Sequence, residues 1–279
     1  MTAATTVSAY PRLYAERSGT GQPLVLLHGL GESSVGWRPV TELLAAEYDV
    51  IALDLPGFGK SPALPSRMAP TAVNLARAIE ATLDELGVES YHVAGYSLGG
   101  RVAIELARSE RVRSVVAISP DGLGSPVERV QGFVALVAGR GMALALAPAA
   151  ALLSTTPAGR SVFFAGSRSF PWQLAPADAR QLLTDYATSP AYDAVNWISM
   201  FDMPTGLNGI GQPALFLQGT ADPLMAQQIM RYVNLIPNAK LQWLPCLNHV
   251  PISDNPRAVA GQMLAFLATA AAPLASTAS

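Results

Sequence analysis

The sequence predicts an α/β fold: a doubly wound, mostly parallel sheet broken by one long helical insertion. Three observations carry this expectation. Apolar runs recur without polar alternation, helical patterns lie between them, and the rhythm stops after Pro120 and resumes near Pro213. Unbroken apolar runs suit strands covered on both faces. Their alternation with helices implies βαβ units and a parallel sheet.

In the first half, Pro23-Leu24-Val25-Leu26-Leu27-His28 is one such run and Tyr48-Asp49-Val50-Ile51-Ala52-Leu53 the next. Tyr91 to Tyr96 and Val112 to Ser119 follow. Thr71 to Leu86 reads as a helix, with Val73, Leu75, Ala76, Ile79, Leu83 and Leu86 near one face and Gly87 as the stop. Leu98 to Ser109 reads as another.

From Asp121 to Gly211 the pattern is helical, punctuated by Pro148, Pro157, Pro171, Pro176, Pro190 and Pro204, and rich in aromatic residues. Strand and helix then return as Pro213 to Gly219, Leu224 to Ile236, Ala239 to Leu244 and Pro256 to Thr269. The expected division is a core of residues 1–120 and 212–279 with a cap of 121–211. The tail after Ala270 reads as a frayed end.

Half of the 279 residues are hydrophobic and 14% are charged, which excludes a disordered chain. A net charge of −2 gives no electrostatic case for nucleic acid. Cys246 is the single cysteine, so no intrachain disulfide can form; it reads as a packing or loop residue. The first eight residues lack the basic and apolar regions of a signal peptide, which leads to an expected cytoplasmic location. The apolar stretch Gly141 to Leu153 is too short to span a bilayer and is interrupted by Pro148, so no stable membrane insertion is expected.

The chemistry centres on Gly95-Tyr96-Ser97-Leu98-Gly99-Gly100, directly after a strand and before a helix. This pattern presents a serine on a sharp strand-to-helix turn, where small neighbours let the two backbones approach. A serine nucleophile needs a base, and the base needs an orienting acid. Of the three histidines, His92 lies inside a strand, and His28 shapes a strand-to-loop end. His249 follows the last strand, on the sheet edge that lines binding crevices in open parallel sheets. Asp222, just past another strand, reads as a helix cap or as the acid that fixes the imidazole, and the second is favoured. Asp121 is the competing acid.

In this order, Ser97, Asp222 and His249 resemble the triad of the α/β-hydrolase fold superfamily, in its capped, esterase-like serine hydrolase branch. The likeness also rests on His28-Gly29-Leu30-Gly31, Asp54-Leu55-Pro56-Gly57-Phe58-Gly59-Lys60-Ser61 and Asn248-His249-Val250-Pro251, and runs from about Leu24 to Leu267. It implies an oxyanion hole made by the Leu30 and Leu98 amides, and a helical cap inserted after the sixth strand. It further implies a hydrolase that needs no cofactor or metal. Ser97 stands where the dehalogenase and epoxide-hydrolase branches carry aspartate. Val250 stands where the carbon–carbon bond hydrolases carry tryptophan.

Two nucleotide-like patterns are set aside. Asp54 stands where a phosphate-binding loop ending Gly59-Lys60-Ser61 needs its first glycine, and Ser34 stands for the third glycine of a dinucleotide fingerprint. The aromatic cap suggests an apolar small-molecule substrate, with Tyr96, Trp197, Phe201 and Val250 as pocket residues. Carbon–carbon bond cleavage, acyl transfer or cyclisation by the same triad remain alternatives, as does a binding protein of this fold.

Overall fold

The computed structural model describes residues 9–270 apart from Leu224. The signal-peptide reading and the tail after Ala270 fall outside the described residues. Seven strands lie within them: β1 (Ala15–Ser18), β2 (Gln22–Leu27), β3 (Tyr48–Leu53), β4 (Tyr91–Tyr96), β5 (Val112–Ile118), β6 (Ala214–Gly219) and β7 (Ala239–Leu244). They form one sheet in the order β1-β3-β2-β4-β5-β6-β7. Only β1 runs antiparallel to its neighbour. The polar Ala-Glu-Arg-Ser sequence of β1 suits an exposed sheet edge and carries no apolar signal, so sequence reading passes over it.

Side-chain alternation along the strands builds two core layers. Val25 and Leu27 of β2 face one side; Leu24 and Leu26 face the other. Helix α1 (Arg38–Ala45) covers the second layer through Val40 and Leu44. Helices α2 (Ala72–Glu85) and α3 (Leu98–Leu106) cover the first through Leu75, Ile79, Leu83, Val102 and Leu106. Each such side chain contributes about 1.5–3 kcal/mol by leaving water. Thr71 caps α2 by accepting the Asn74 N–H at 3.3 Å, and Gly87 ends it at φ +69°. Val73 leaves the expected face: it is 38% exposed.

Between β5 and β6 lie the cap helices α4 (Pro126–Leu146), α5 (Ala150–Leu153), α6 (Pro157–Phe164), α7 (Pro176–Thr188) and α8 (Tyr192–Ser199). Five strands precede them among the described residues, against the six of the family count. A capping box of Ser125 and Glu128 starts α4. Pro148 sits in a 3₁₀ turn, as its broken hydrogen bonding requires. The expectation for this stretch needs one correction. Helical structure runs from Pro126 to Leu153, 28 residues that contain an 18-residue window of mean hydropathy 1.7, long and apolar enough to cross a bilayer by length and composition. The sequence reading stopped at Arg140. That side chain turns inward, donating to the carbonyls of Tyr186 and Ser189. Phe164, Leu174, Leu182 and Leu183 bury together against Val35 of the core, forming a small core under α6 and α7.

The chain returns to the sheet through β6, α9 (Ala226–Leu235) and β7, then ends in α10 (Pro251–Asp254) and α11 (Pro256–Ala270). Ile229 and Tyr232 of α9 join the first layer; Val259, Met263 and Leu267 of α11 join the second.

Candidate active site

Among the described residues, three that are not glycine have positive φ: Ser97 (54°), Ser119 (45°) and Cys246 (61°). All three lie just past the carboxyl ends of β4, β5 and β7. Backbone strain of this kind is sparse and clusters at functional sites. Ser97 is held there by its own N–H on the Ile118 carbonyl at 2.9 Å and by the Arg101 N–H on its carbonyl at 3.1 Å.

The glycines around Ser97 are required by close approach. A Cβ on Gly95 would overlap the Gly99 backbone, and one on Gly99 would overlap the carbonyls of Leu27 and His28. Strand β4, helix α3 and the end of β2 therefore meet with no room for side chains. A Cβ on Gly29 would lie 3.3 Å from the Ser97 Cβ, so the His28–Gly31 loop rests against the serine turn. That loop closes as a turn, with the Glu32 N–H on the Gly29 carbonyl at 3.2 Å. Leu30 is a central residue of this turn. Leu98 is the first residue of α3, where the backbone N–H has no acceptor within the helix.

Asp222 follows β6 and is buried. Its Oδ2 accepts the His249 Nδ1–H at 2.9 Å and the Gln218 side-chain amide at 2.9 Å. Its Oδ1 accepts the Met225 N–H at 3.2 Å. One carboxylate thus orders the turn before α9 and holds the ring, while the N-cap position of α9 is Met225 rather than Asp222. With Nδ1 on Asp222, Nε2 is the ring nitrogen left for proton transfer. Burial alone would lower the His249 pKa. The Asp222 carboxylate, through charge and hydrogen bond, outweighs burial and raises it, helped by Asp121 and Glu32.

The competing acid faces an arginine. Asp121 pairs with Arg101 at 3.8 Å, and Arg101, fully buried, also pairs with Asp202. The other two histidines are structural. His28 is buried, with Nδ1 bonded to the Gly29 carbonyl at 2.7 Å and Nε2 accepting the Leu55 N–H at 2.9 Å. His92 bridges Ser114 and Gln22, and burial pushes its pKa down to about 4. The Asp54–Ser61 loop wraps an aspartate: the Asp54 carboxylate accepts the Ser34 and Lys60 N–H groups.

The four expected pocket residues divide. Tyr96 and Val250 are corrected to packing positions. Tyr96 is 1% exposed, its ring 5.4 Å from Trp37 and its hydroxyl on Glu32. Val250 is buried in the second core layer and gives its N–H to the Ser167 carbonyl. Trp197 meets Phe201 and Phe133 of α4 edge to face, and Trp197 and Phe201 are 56% and 65% exposed on the cap.

Sequence reading missed the residues that fasten the cap here. Asp254 accepts the N–H groups of Ser169 and Phe170 at 2.9 Å. Arg168 reaches Glu32 and Ser253. Their partners are distant in sequence, so no local pattern marks them.

The model of the alpha/beta hydrolase fold family matches residues 22–256. The chain is 38% identical over 125 residues to the dihydrolipoyllysine-residue acetyltransferase component of the acetoin cleaving system of Cupriavidus necator, covering 43% of this chain and 33% of that protein. It is 37% identical over 120 residues to 2-hydroxy-6-oxo-6-phenylhexa-2,4-dienoate hydrolase of Burkholderia cepacia, covering 41% of this chain and 42% of that one. The matches thus span well under half the length of either relative. Among solved structures, a thermophilic esterase from Thermogutta terrifontis superposes with a TM-score of 0.74 at 21% identity, over 93% of this chain and 94% of that one.

Proposed function

The chain belongs to the alpha/beta hydrolase fold family, and on that premise we propose that it is a serine hydrolase cleaving a carboxylic ester of an apolar small molecule. The observation that carries this reading is the 2.9 Å bond between His249 and Asp222 at the same sheet edge as the strained Ser97 turn. Ser97 Oγ attacks the carbonyl carbon while His249 Nε2 takes its proton. The carbonyl electrons move onto oxygen, which the Leu30 and Leu98 N–H groups receive; losing one such donor costs about 2.7–4 kcal/mol. The tetrahedral centre collapses, and His249 returns the proton to the leaving alcohol. Water, deprotonated by His249, then attacks the acyl-enzyme and frees the acid and Ser97.

An uncharged substrate fits the charges near the site. Arg168 is paired with Glu32, Arg101 with Asp121 and Asp202, and Arg140 with two backbone carbonyls. The Burkholderia relative, by its name, acts on a dienoate, a carboxylate, so carbon–carbon bond hydrolysis is the second reading. Turnover of neutral p-nitrophenyl esters supports the first; cleavage of such a dienoate with no ester turnover would replace it with the second.

The proton transfer sets a pH dependence. The base works only when neutral, and its pKa is raised. kcat/KM should therefore fall as pH drops through a value above the ordinary imidazole range of about 6.5. A pH–rate profile whose acid limb lies below that range contradicts the assignment.

We take residues 121–211 as a lid whose apolar side chains select the substrate. Each added methylene that is buried is then worth about 0.8 kcal/mol, so kcat/KM should climb with acyl chain length until the space is full. Trp197→Ala and Phe201→Ala should flatten that climb with little change in Tm, since both rings are more than half exposed. Lost stability with an unchanged profile would make them structural.

A further inference from the structure

One buried ion pair joins the Gly29–Glu32 turn, Tyr96 and the segment after His249 to the cap. Glu32, at the end of the Gly29–Glu32 turn, gives its two carboxylate oxygens to different partners. Oε2 accepts the Tyr96 hydroxyl at 2.5 Å, and Oε1 accepts Arg168 Nη2 at 2.8 Å. Tyr96 directly precedes Ser97. Arg168 belongs to the cap segment between α6 and α7, and its Nε donates to Ser253 Oγ at 3.0 Å, just past His249. Ser253 Oγ in turn donates to the Val250 carbonyl at 3.1 Å. The guanidinium lies over the Phe164 ring at 4.9 Å.

The space for this pair is built. A Cβ on Gly36 would overlap the Tyr96 hydroxyl and stand 2.8 Å from Glu32 Oε2; one on Gly29 would stand 2.9 Å from the Tyr96 ring. Arg168 is 2% exposed and Glu32 8%. Burial would raise the Glu32 pKa, but Arg168 and the Tyr96 hydroxyl outweigh it, so the carboxyl stays ionised. Its field reaches the reaction centre, because Glu32 is one of the carboxylates that hold the His249 pKa up. An ionised carboxylate beside the turn that carries Leu30 opposes negative charge developing on a substrate oxygen there. The cap arginine cancels that charge and fixes the turn.

We propose that Arg168 and Glu32 are positioning residues through which the cap completes the oxyanion site: the pair holds the Leu30 turn against Tyr96, and Arg168 cancels the Glu32 charge beside that turn. This rests on the serine-hydrolase reading. It makes a charge-specific statement that a role in packing alone does not make. Removing Arg168 leaves Glu32 alone and should weaken the transition state more than substrate binding. Removing the Glu32 charge as well should undo that loss, although every Arg168 contact is still absent.

The test is steady-state hydrolysis of p-nitrophenyl butyrate, with fluorophosphonate labelling of the wild type alongside. Arg168→Met is expected to lower kcat about tenfold or more with KM within about twofold, the mark of an interaction felt in the transition state. Arg168→Met combined with Glu32→Gln is expected to recover most of that loss. A double variant as slow as Arg168→Met, or a single variant with wild-type kcat, overturns the proposal. If Arg168→Met does not fold, Tyr96→Phe decides, since it keeps the ring against Trp37 and removes one donor from Glu32. A few-fold lower kcat at constant KM and Tm supports the proposal; wild-type kcat overturns it. A wild type that neither labels nor hydrolyses the ester overturns the serine-hydrolase reading together with the proposal. An active, labelled wild type indifferent to these variants overturns the proposal alone.

Discussion

Ser97→Ala is expected to abolish ester hydrolysis and fluorophosphonate labelling while leaving the chain folded. Loss of a serine nucleophile in an enzyme of this type costs about 2 × 10⁶ in kcat, because proton transfer and attack have no atom to act through. The fold does not depend on the lost oxygen. The turn is held by backbone bonds to Ile118 and Arg101 and by the glycine contacts around it. Alanine meets the same strain at φ 54° as serine does. Thermal unfolding and hydrolysis, measured on the same preparation, check both halves of the expectation. A stable variant with no activity supports the assignment; an active one removes it.

Asp222→Asn is expected to cut kcat by about four powers of ten, as in the serine-protease precedent, because a neutral amide permits the wrong imidazole tautomer. Two further effects follow from the bonds that Asp222 makes. Its charge raises the His249 pKa, so whatever activity remains should have its acid limb at lower pH than the wild type. The asparagine Oδ1 can still accept the Met225 N–H, so the turn before α9 should persist. Asp121→Asn should cost far less, since Asp121 faces Arg101, which keeps Asp202 as a partner. The reverse ranking of the two variants in kcat would move the acid to Asp121.

The strand positions and the pairing of Asp222 with His249 were legible because they rest on local pattern. Runs such as Tyr48–Leu53 and Tyr91–Tyr96 are mainly apolar, with Asp49 and His92 as the exceptions, and β3 and β4 occupy those residues. Asp222 and His249 could be paired because both sit just past strands of one parallel sheet, whose ends share an edge. Other features escaped for equally physical reasons. Strand β1 is short and polar. The apolar stretch Gly141–Leu153 reads from sequence as bounded by Arg140, although that arginine lies inside α4 and turns inward onto backbone carbonyls. Tyr96 and Val250 were placed in the pocket by their position beside Ser97 and His249. Position beside a catalytic residue does not fix which way a side chain points, and both point into packing. The tie from Glu32 to Arg168 crosses 136 residues, and no periodicity or spacing encodes such a contact.

The central claim is that Ser97 is the nucleophile activated by His249 and Asp222. Mapping the fluorophosphonate adduct by peptide mass spectrometry tests it most directly. The account predicts one stoichiometric adduct on Ser97 in the native protein, formed far more slowly in Asp222→Asn and absent after denaturation. An adduct on another serine, or ester hydrolysis that continues with Ser97 unmodified after full exposure to the reagent, would contradict it.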